Sequence, residues 1–202
     1  TRRCCLLPAN PYGTIFPSGF IAGLFLEANT LPRFLARLHR QDPARFRRDC
    51  RRYQRLVSSR LRPRWHSTPD VAVLSSEYLW RFPLDAIQRL REHFLAQGVT
   101  RFVVIAYVRE PSSQYRSALQ QWVRISTDLE RFRPSRWRYE LRKRLECWSQ
   151  VFPEDLVVRP FDLEQFPGGC VVQDFASLLQ RECPSSSPPP CLQSSLGVNR
   201  SA

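Results

Sequence analysis

At 202 residues, with 43% apolar and 12% aromatic side chains, the chain is long enough for one domain with a substantial core and too apolar to stay disordered. No apolar run approaches the length needed to cross a bilayer, and the opening TRRCCLLPANPYG, broken at Pro8 and Pro11, is unlike a secretory leader. The net charge of +13 raises nucleic acid or an anionic surface as partners, but Lys143 is the only lysine, and a bias that complete fits a GC-rich genome better than selection for phosphate.

The first 30 residues carry scattered Pro and Gly and read as loop, with a short helix near residues 20–27. The absence of methionine leads to the expectation of a fragment or processed product. Residues 31–61 are helical in two pieces broken at Pro43. In the second piece Phe46, Cys50, Tyr53 and Val57 form an apolar stripe, while Arg45, Arg47, Arg48, Arg51, Arg52 and Arg55 read as a solvated face, with a polyanion-binding face as the alternative. The seven cysteines show no paired CxxC spacing and no zinc signature, so no metal is expected. Cys50 and Cys147 read as buried thiols of a cytoplasmic protein, whereas Cys183 and Cys191 suit a local disulfide in an oxidising compartment. His39, His66 and His93 are dispersed and read as solvent or helix-surface groups.

A polar turn leads to a strand at residues 71–79, VAVLSSEYL. Residues 85–97, with Ile87, Leu90, Phe94 and Leu95 and Gly98 at the exit, read as a crossover helix to a second parallel strand at residues 102–108. That second strand has no polar alternation and reads as buried on both faces. It ends at Arg109. Pro111 then opens a helix whose apolar face is Tyr115, Leu119, Trp122 and Ile125, leaving Ser117 on another side, able to reach back toward Arg109. Ligands of doubly wound sheets bind beyond the carboxyl ends of the strands, beside helix amino termini that favour phosphate. An ion pair between Arg109 and Glu110 is the competing reading. A helix at residues 140–151, a strand at 156–161, a helix at 172–180 and a Pro/Ser-rich loop at 183–195 complete the order.

The strand-ending Arg109 and Ser117, eight residues on, resemble the adenosine 3'-phosphate signature of the sulfotransferase superfamily. The resemblance extends to VAVLSSEYL, to CWSQVFPEDLVVRPFD, to the later QDF and to GVNRSA at residues 197–202, and covers the chain from Val71 onward. It implies a bacterial carbohydrate-type sulfotransferase-like α/β fold: a P-loop-like parallel sheet flanked by helices in a three-layer sandwich. This would be one domain, with a mostly helical part at 1–66, an α/β core at 67–182 and a C-terminal loop at 183–202. It also implies 3'-phosphoadenosine 5'-phosphosulfate as donor, adenosine 3',5'-bisphosphate as product, and a hydroxyl-bearing acceptor such as a carbohydrate or glycan. By that resemblance Arg109, Ser117 and Asn199 hold the nucleotide. Glu77 is the candidate general base with Ser76 beside it, provided burial raises the carboxyl toward neutrality; the alternative is that the serines cap the next element.

The family's phosphosulfate loop, resembling Pro-Lys-Thr-Gly-Thr-Thr between first strand and first helix, has no counterpart here. YGTIFPSG lacks the cation and a recognisable preceding strand, so the domain is expected to be incomplete at its N-terminus. Trp122, Trp137, Trp148 and Tyr139 read as core, with sugar stacking on Trp137 amid Arg133, Arg136 and Arg138 as the other option. A catalytically dead nucleotide-binding module is the first alternative function. A basic nucleic-acid-binding protein is the less favoured second.

Overall fold

Pro43 divides the expected helical stretch where its missing N–H does least harm, at the first position of a new helix. In the computed structural model α2 covers Arg33–Gln41 and α3 covers Pro43–Leu61. Asp42 joins them: its N–H donates to Leu38 O at 3.0 Å, ending α2, and its Oδ1 accepts the Arg45 N–H at 2.8 Å, starting α3. The structure describes residues 4–6, 19–61, 71–124, 126–128 and 130–182.

The full order is β1 (Cys4–Leu6), α1 (Gly19–Phe25), α2, α3, β2 (Val71–Val73), α4 (Leu84–Leu95), β3 (Val104–Val108), α5 (Pro111–Val123), α6 (Leu141–Val151), β4 (Leu156–Pro160) and α7 (Val171–Glu182), with single 3-10 turns between some of them. Two parallel ladders form. β1 pairs with β2, Cys4 opposite Val71, and β3 pairs with β4, Val104 opposite Leu156 through Val108 opposite Pro160. The protein is therefore mixed α/β with parallel pairing, joined β3 to β4 by helical crossovers.

Three expectations need correction. YGTIFPSG shows no preceding strand in its sequence pattern, yet β1 lies before it and α1 follows. The strand at residue 71 stops at Val73, because Ser75 and Ser76 leave the ladder for a turn. And β3, read as buried on both faces, is only half-buried at all five positions.

The reason for the last lies in where the core sits. Ile21 and Phe25 of α1, Leu35 of α2, Phe46 and Tyr53 of α3, and Ile87 and Phe94 of α4 are buried together, with Trp148 of α6 and the following Phe152 closing the cluster. Helices thus bury one another, and the strands lean on that cluster from its edge: Val104 and Leu156 are only partly buried against it. Gly23 of α1 is required by this packing, since a Cβ there would meet Cys50 Sγ at 2.8 Å and Phe46 Cζ at 3.0 Å.

His93, expected on a helix surface, is half-buried instead. Its ring meets Phe25 and Phe94 edge-on at 5.5 and 5.6 Å, and burial lowers its pKa below the usual imidazole value. His39 stands edge-on to Phe46 at 5.2 Å, and His66 lies outside the described residues. Cys50 is buried and Cys147 and Cys170 half-buried, all three as free thiols. No helix among the described residues is long and apolar enough to cross a membrane.

Candidate functional site

The carboxyl end of β3 is the point on which the candidate site turns. Val108 is the last ladder residue, and the Phe161 N–H donates to Val108 O at 2.6 Å, which carries the β3–β4 register one step further. Arg109 and Phe161 are therefore neighbours across the strand ends. The Arg109 guanidinium lies over the Phe161 ring, 4.3 Å from its centroid, a cation–π arrangement. Phe161 in turn meets Phe166 edge-on at 5.6 Å.

The competing reading of Arg109 fails on the position of Glu110. Its carboxylate caps α5, accepting the N–H groups of Ser112 and Ser113 at 2.9 Å each and the Ser112 hydroxyl. The Ser112 hydroxyl first, then the two N–H groups, hold the Glu110 pKa below the ordinary carboxylate value. With that carboxylate engaged, Arg109 has no carboxylate partner among the described residues, although it is half-buried. The same cap corrects a second expectation. The amino terminus of α5 is already taken by an anion of the protein's own, so its N–H groups are not available to a phosphate.

Arg109 and Ser117 line one cleft of about 2160 Å³. Gln114, Ser117 and Gln121, at spacings of three and four, bring the polar face of α5 to its wall. Trp122, Phe132 and Trp137 stand beside them. Trp122 and Phe132 are 5.0 Å apart, Phe132 and Trp137 5.6 Å, and Tyr115 meets Trp137 edge-on at 5.7 Å. Two hydrogen bonds tie this cluster to the irregular segment after α5, from Tyr115 Oη to Phe132 O and from Trp122 Nε1 to Asp128 O, each 2.6 Å. These rings pack on one another at half-burial, so they are neither deep core nor an open platform. Trp148 alone of the expected core tryptophans is buried. Tyr139 also lines the cleft; its phenol pKa is raised by burial and pulled back by the backbone N–H and charge of Arg109.

Ser76 and Glu77 reach the same cleft from the end of β2. Ser76 Oγ accepts the Tyr78 N–H at 3.2 Å and closes the turn, which is the capping role set against catalysis above. Glu77 is exposed, so the desolvation that would suit it to act as a base is missing; it interacts with the Tyr78 hydroxyl, whose pKa is raised by burial first and by Glu77 second. Asn199 lies outside the described residues. No group of His, Cys, Asp or Glu among the described residues is arranged to hold a metal ion.

One feature beside the cleft was not legible beforehand. Asp174 of α7 is buried, accepts Tyr107 Oη at 2.7 Å and Arg159 Nε at 3.1 Å, and is paired with Arg159 Nη2 as well. Burial, then the bond to Asp174, drives the Tyr107 pKa up. β3, β4 and α7 are thereby locked behind Arg109. The signal existed only as three polar residues in three separate apolar segments.

No family model and no solved structure matches the chain. It is similar to an uncharacterized protein of Archaeoglobus fulgidus, 28% identical over 117 residues, which cover 56% of this chain and 31% of that protein. The chain thus matches about a third of the length of that relative.

Proposed function

We propose that the protein is sulfotransferase-like, binding 3'-phosphoadenosine 5'-phosphosulfate through Arg109 and Ser117 and serving transfer of its sulfuryl group to a hydroxyl of a carbohydrate or small molecule. The supporting observation is Arg109: half-buried, set at a strand end in a cleft, placed over the Phe161 ring, and without a carboxylate partner among the described residues. A cation placed that way stays partly desolvated unless an anion joins it, and a planar fork suits a phosphate. Ser117 adds a hydroxyl to the lining of the same cleft. In this reading the two hold the nucleotide's 3'-phosphate, while the chain has no counterpart of the family's phosphosulfate loop.

In this reading the acceptor oxygen attacks sulfur in line, the bond from sulfur to the phosphate oxygen breaks, and Glu77 receives the acceptor proton from the turn after β2. Asn199 is assigned to the nucleotide by resemblance alone. The exposed Glu77 and the use of Ser76 in a turn favour, as second reading, a module that binds adenosine 3',5'-bisphosphate without catalysis. Incubation with isotopically labelled donor and a panel of saccharide and phenolic acceptors separates the two. Label transfer supports the enzyme, whereas calorimetric binding of the bisphosphate without transfer supports the module. Absence of both rejects the family reading.

A further inference from the structure

Composition assigned the arginines of this chain to a general bias, but their placement on α3 does not follow from bias. Setting residues at about 100° apart around the helix puts Phe46, Cys50, Tyr53 and Val57 on one stripe, and those four are buried. Arg45, Arg47, Arg48, Arg51, Arg52 and Arg55 fall within an arc of about 160° centred opposite that stripe, and all six are exposed. Between residues 45 and 55 nothing else falls in the arc.

A face that merely keeps a helix soluble mixes both signs at spacings of three and four. Here those spacings join like charges: Arg47 to Arg51, Arg48 to Arg52, and Arg51 to Arg55, each a destabilising neighbour. Arg45 reaches Asp49 at 3.8 Å, while Arg47, Arg48, Arg51 and Arg55 meet no carboxylate among the described residues. The repulsion is relieved when a polyanion lies along the helix.

We infer that the exposed face of α3 is a docking surface for double-stranded nucleic acid, held through its phosphates. Three features select that partner. The six charges occupy about 15 Å of helix, one per about 2.5 Å, which falls between the charge spacing along one strand of a duplex, about 3.4 Å, and along both strands together, about 1.7 Å. The arc wraps both flanks of a rod about 10–12 Å wide, which suits the two phosphate walls of a groove about 12 Å wide. The face holds no aromatic ring for stacking unpaired bases and no apolar residue for entering a lipid surface. With only guanidinium groups on the arc, contact is expected to be largely independent of sequence.

The test is fluorescence anisotropy of the full chain with a labelled 20-base-pair DNA duplex between 50 and 200 mM salt. The four arginines without a carboxylate partner among the described residues, Arg47, Arg48, Arg51 and Arg55, predict a slope of log affinity against log salt of about −3 to −4. Replacing three of them (Arg47→Gln, Arg51→Gln, Arg55→Gln) is expected to bring the slope to about −1, with an unchanged circular dichroism spectrum because all three are exposed. Arg109→Ala is expected to leave the slope unchanged, which keeps this surface separate from the cleft. No binding at 50 mM salt overturns the inference, as does a slope untouched by the triple variant or lowered by Arg109→Ala. Binding of a heparin octasaccharide with no binding of the duplex also overturns it and assigns the face to a sulfated glycan.

Discussion

The Arg109 guanidinium rests 4.3 Å from the centre of the Phe161 ring, and the two residues occupy adjacent positions where β3 and β4 end. The backbone bond from Phe161 to Val108 sets that adjacency, so the sheet itself brings the ring within reach of the guanidinium. An arginine pre-ordered in this way loses less entropy on meeting a phosphate.

Arg109→Ala should weaken binding of adenosine 3',5'-bisphosphate by roughly 10- to 100-fold, the range for a charged hydrogen-bond donor. Phe161→Leu should cost about 3- to 10-fold, as fits a half-buried cation–π contact, and Phe161→Trp should keep the parent's affinity. Calorimetry on the three variants checks this. Equal affinity in Arg109→Ala and the parent chain would remove the cleft from consideration.

Asp174 holds Tyr107 and Arg159 together in a site where the carboxylate itself is buried but the Arg159 side chain keeps 33% exposure. Asp174→Ala leaves a partly buried cation and a phenol without their acceptor. The expected loss is about 2–4 kcal/mol, below the full cost of breaking an entirely buried pair because water still reaches the arginine. Thermal unfolding should show a fall in melting temperature of roughly 5–15 °C. A fall of less than about 2 °C would mean that the three groups do not depend on one another.

Gly23→Ala raises helix propensity by up to about 1 kcal/mol, yet the new methyl would press on Cys50 and Phe46. Crowding of this kind costs about 1–3 kcal/mol, so net destabilisation is expected. Adding Cys50→Ala should recover part of it, since Cys50 Sγ is the nearer atom. Urea unfolding of the two single variants and the double variant measures the coupling. Strict additivity would contradict the packing of α1 on α3.

Glu110 supplies the cap of α5, and its pKa lies below the ordinary value because the charged form accepts three hydrogen bonds. A depressed carboxyl contributes stability above its unfolded value and loses it as pH falls through the folded value. Melting temperature should therefore drop between about pH 5 and pH 3 in the parent chain, and by less in Glu110→Gln. An identical acid profile in both would show that the cap contributes nothing.

The helices were legible because their pattern is local. Phe46, Cys50, Tyr53 and Val57, or Ile87, Leu90 and Phe94, repeat at helical spacing, and each such stripe had to be buried somewhere. Pro43 and Pro111 likewise marked helix starts through a missing N–H. β1 was not legible, since three residues carry too little period to register, and their partner, Val71 to Val73, lies more than sixty positions away.

Arg109 could be singled out by position in the chain, but its partners could not. Glu110 was the nearest carboxylate in sequence, and at the surface it caps α5, where two backbone donors and a hydroxyl prevail over one neighbouring cation. Phe161, fifty-two positions on by residue number, became the neighbour instead, because parallel pairing sets strand ends side by side. What the amino-acid order determined by itself was which faces must be buried and where helices begin, both consequences of short-range periodicity and backbone chemistry. Which charge is neutralised, which remains available, and which ring lies under Arg109 were decided only by tertiary structure, because those are contests among groups that meet only when distant segments pack.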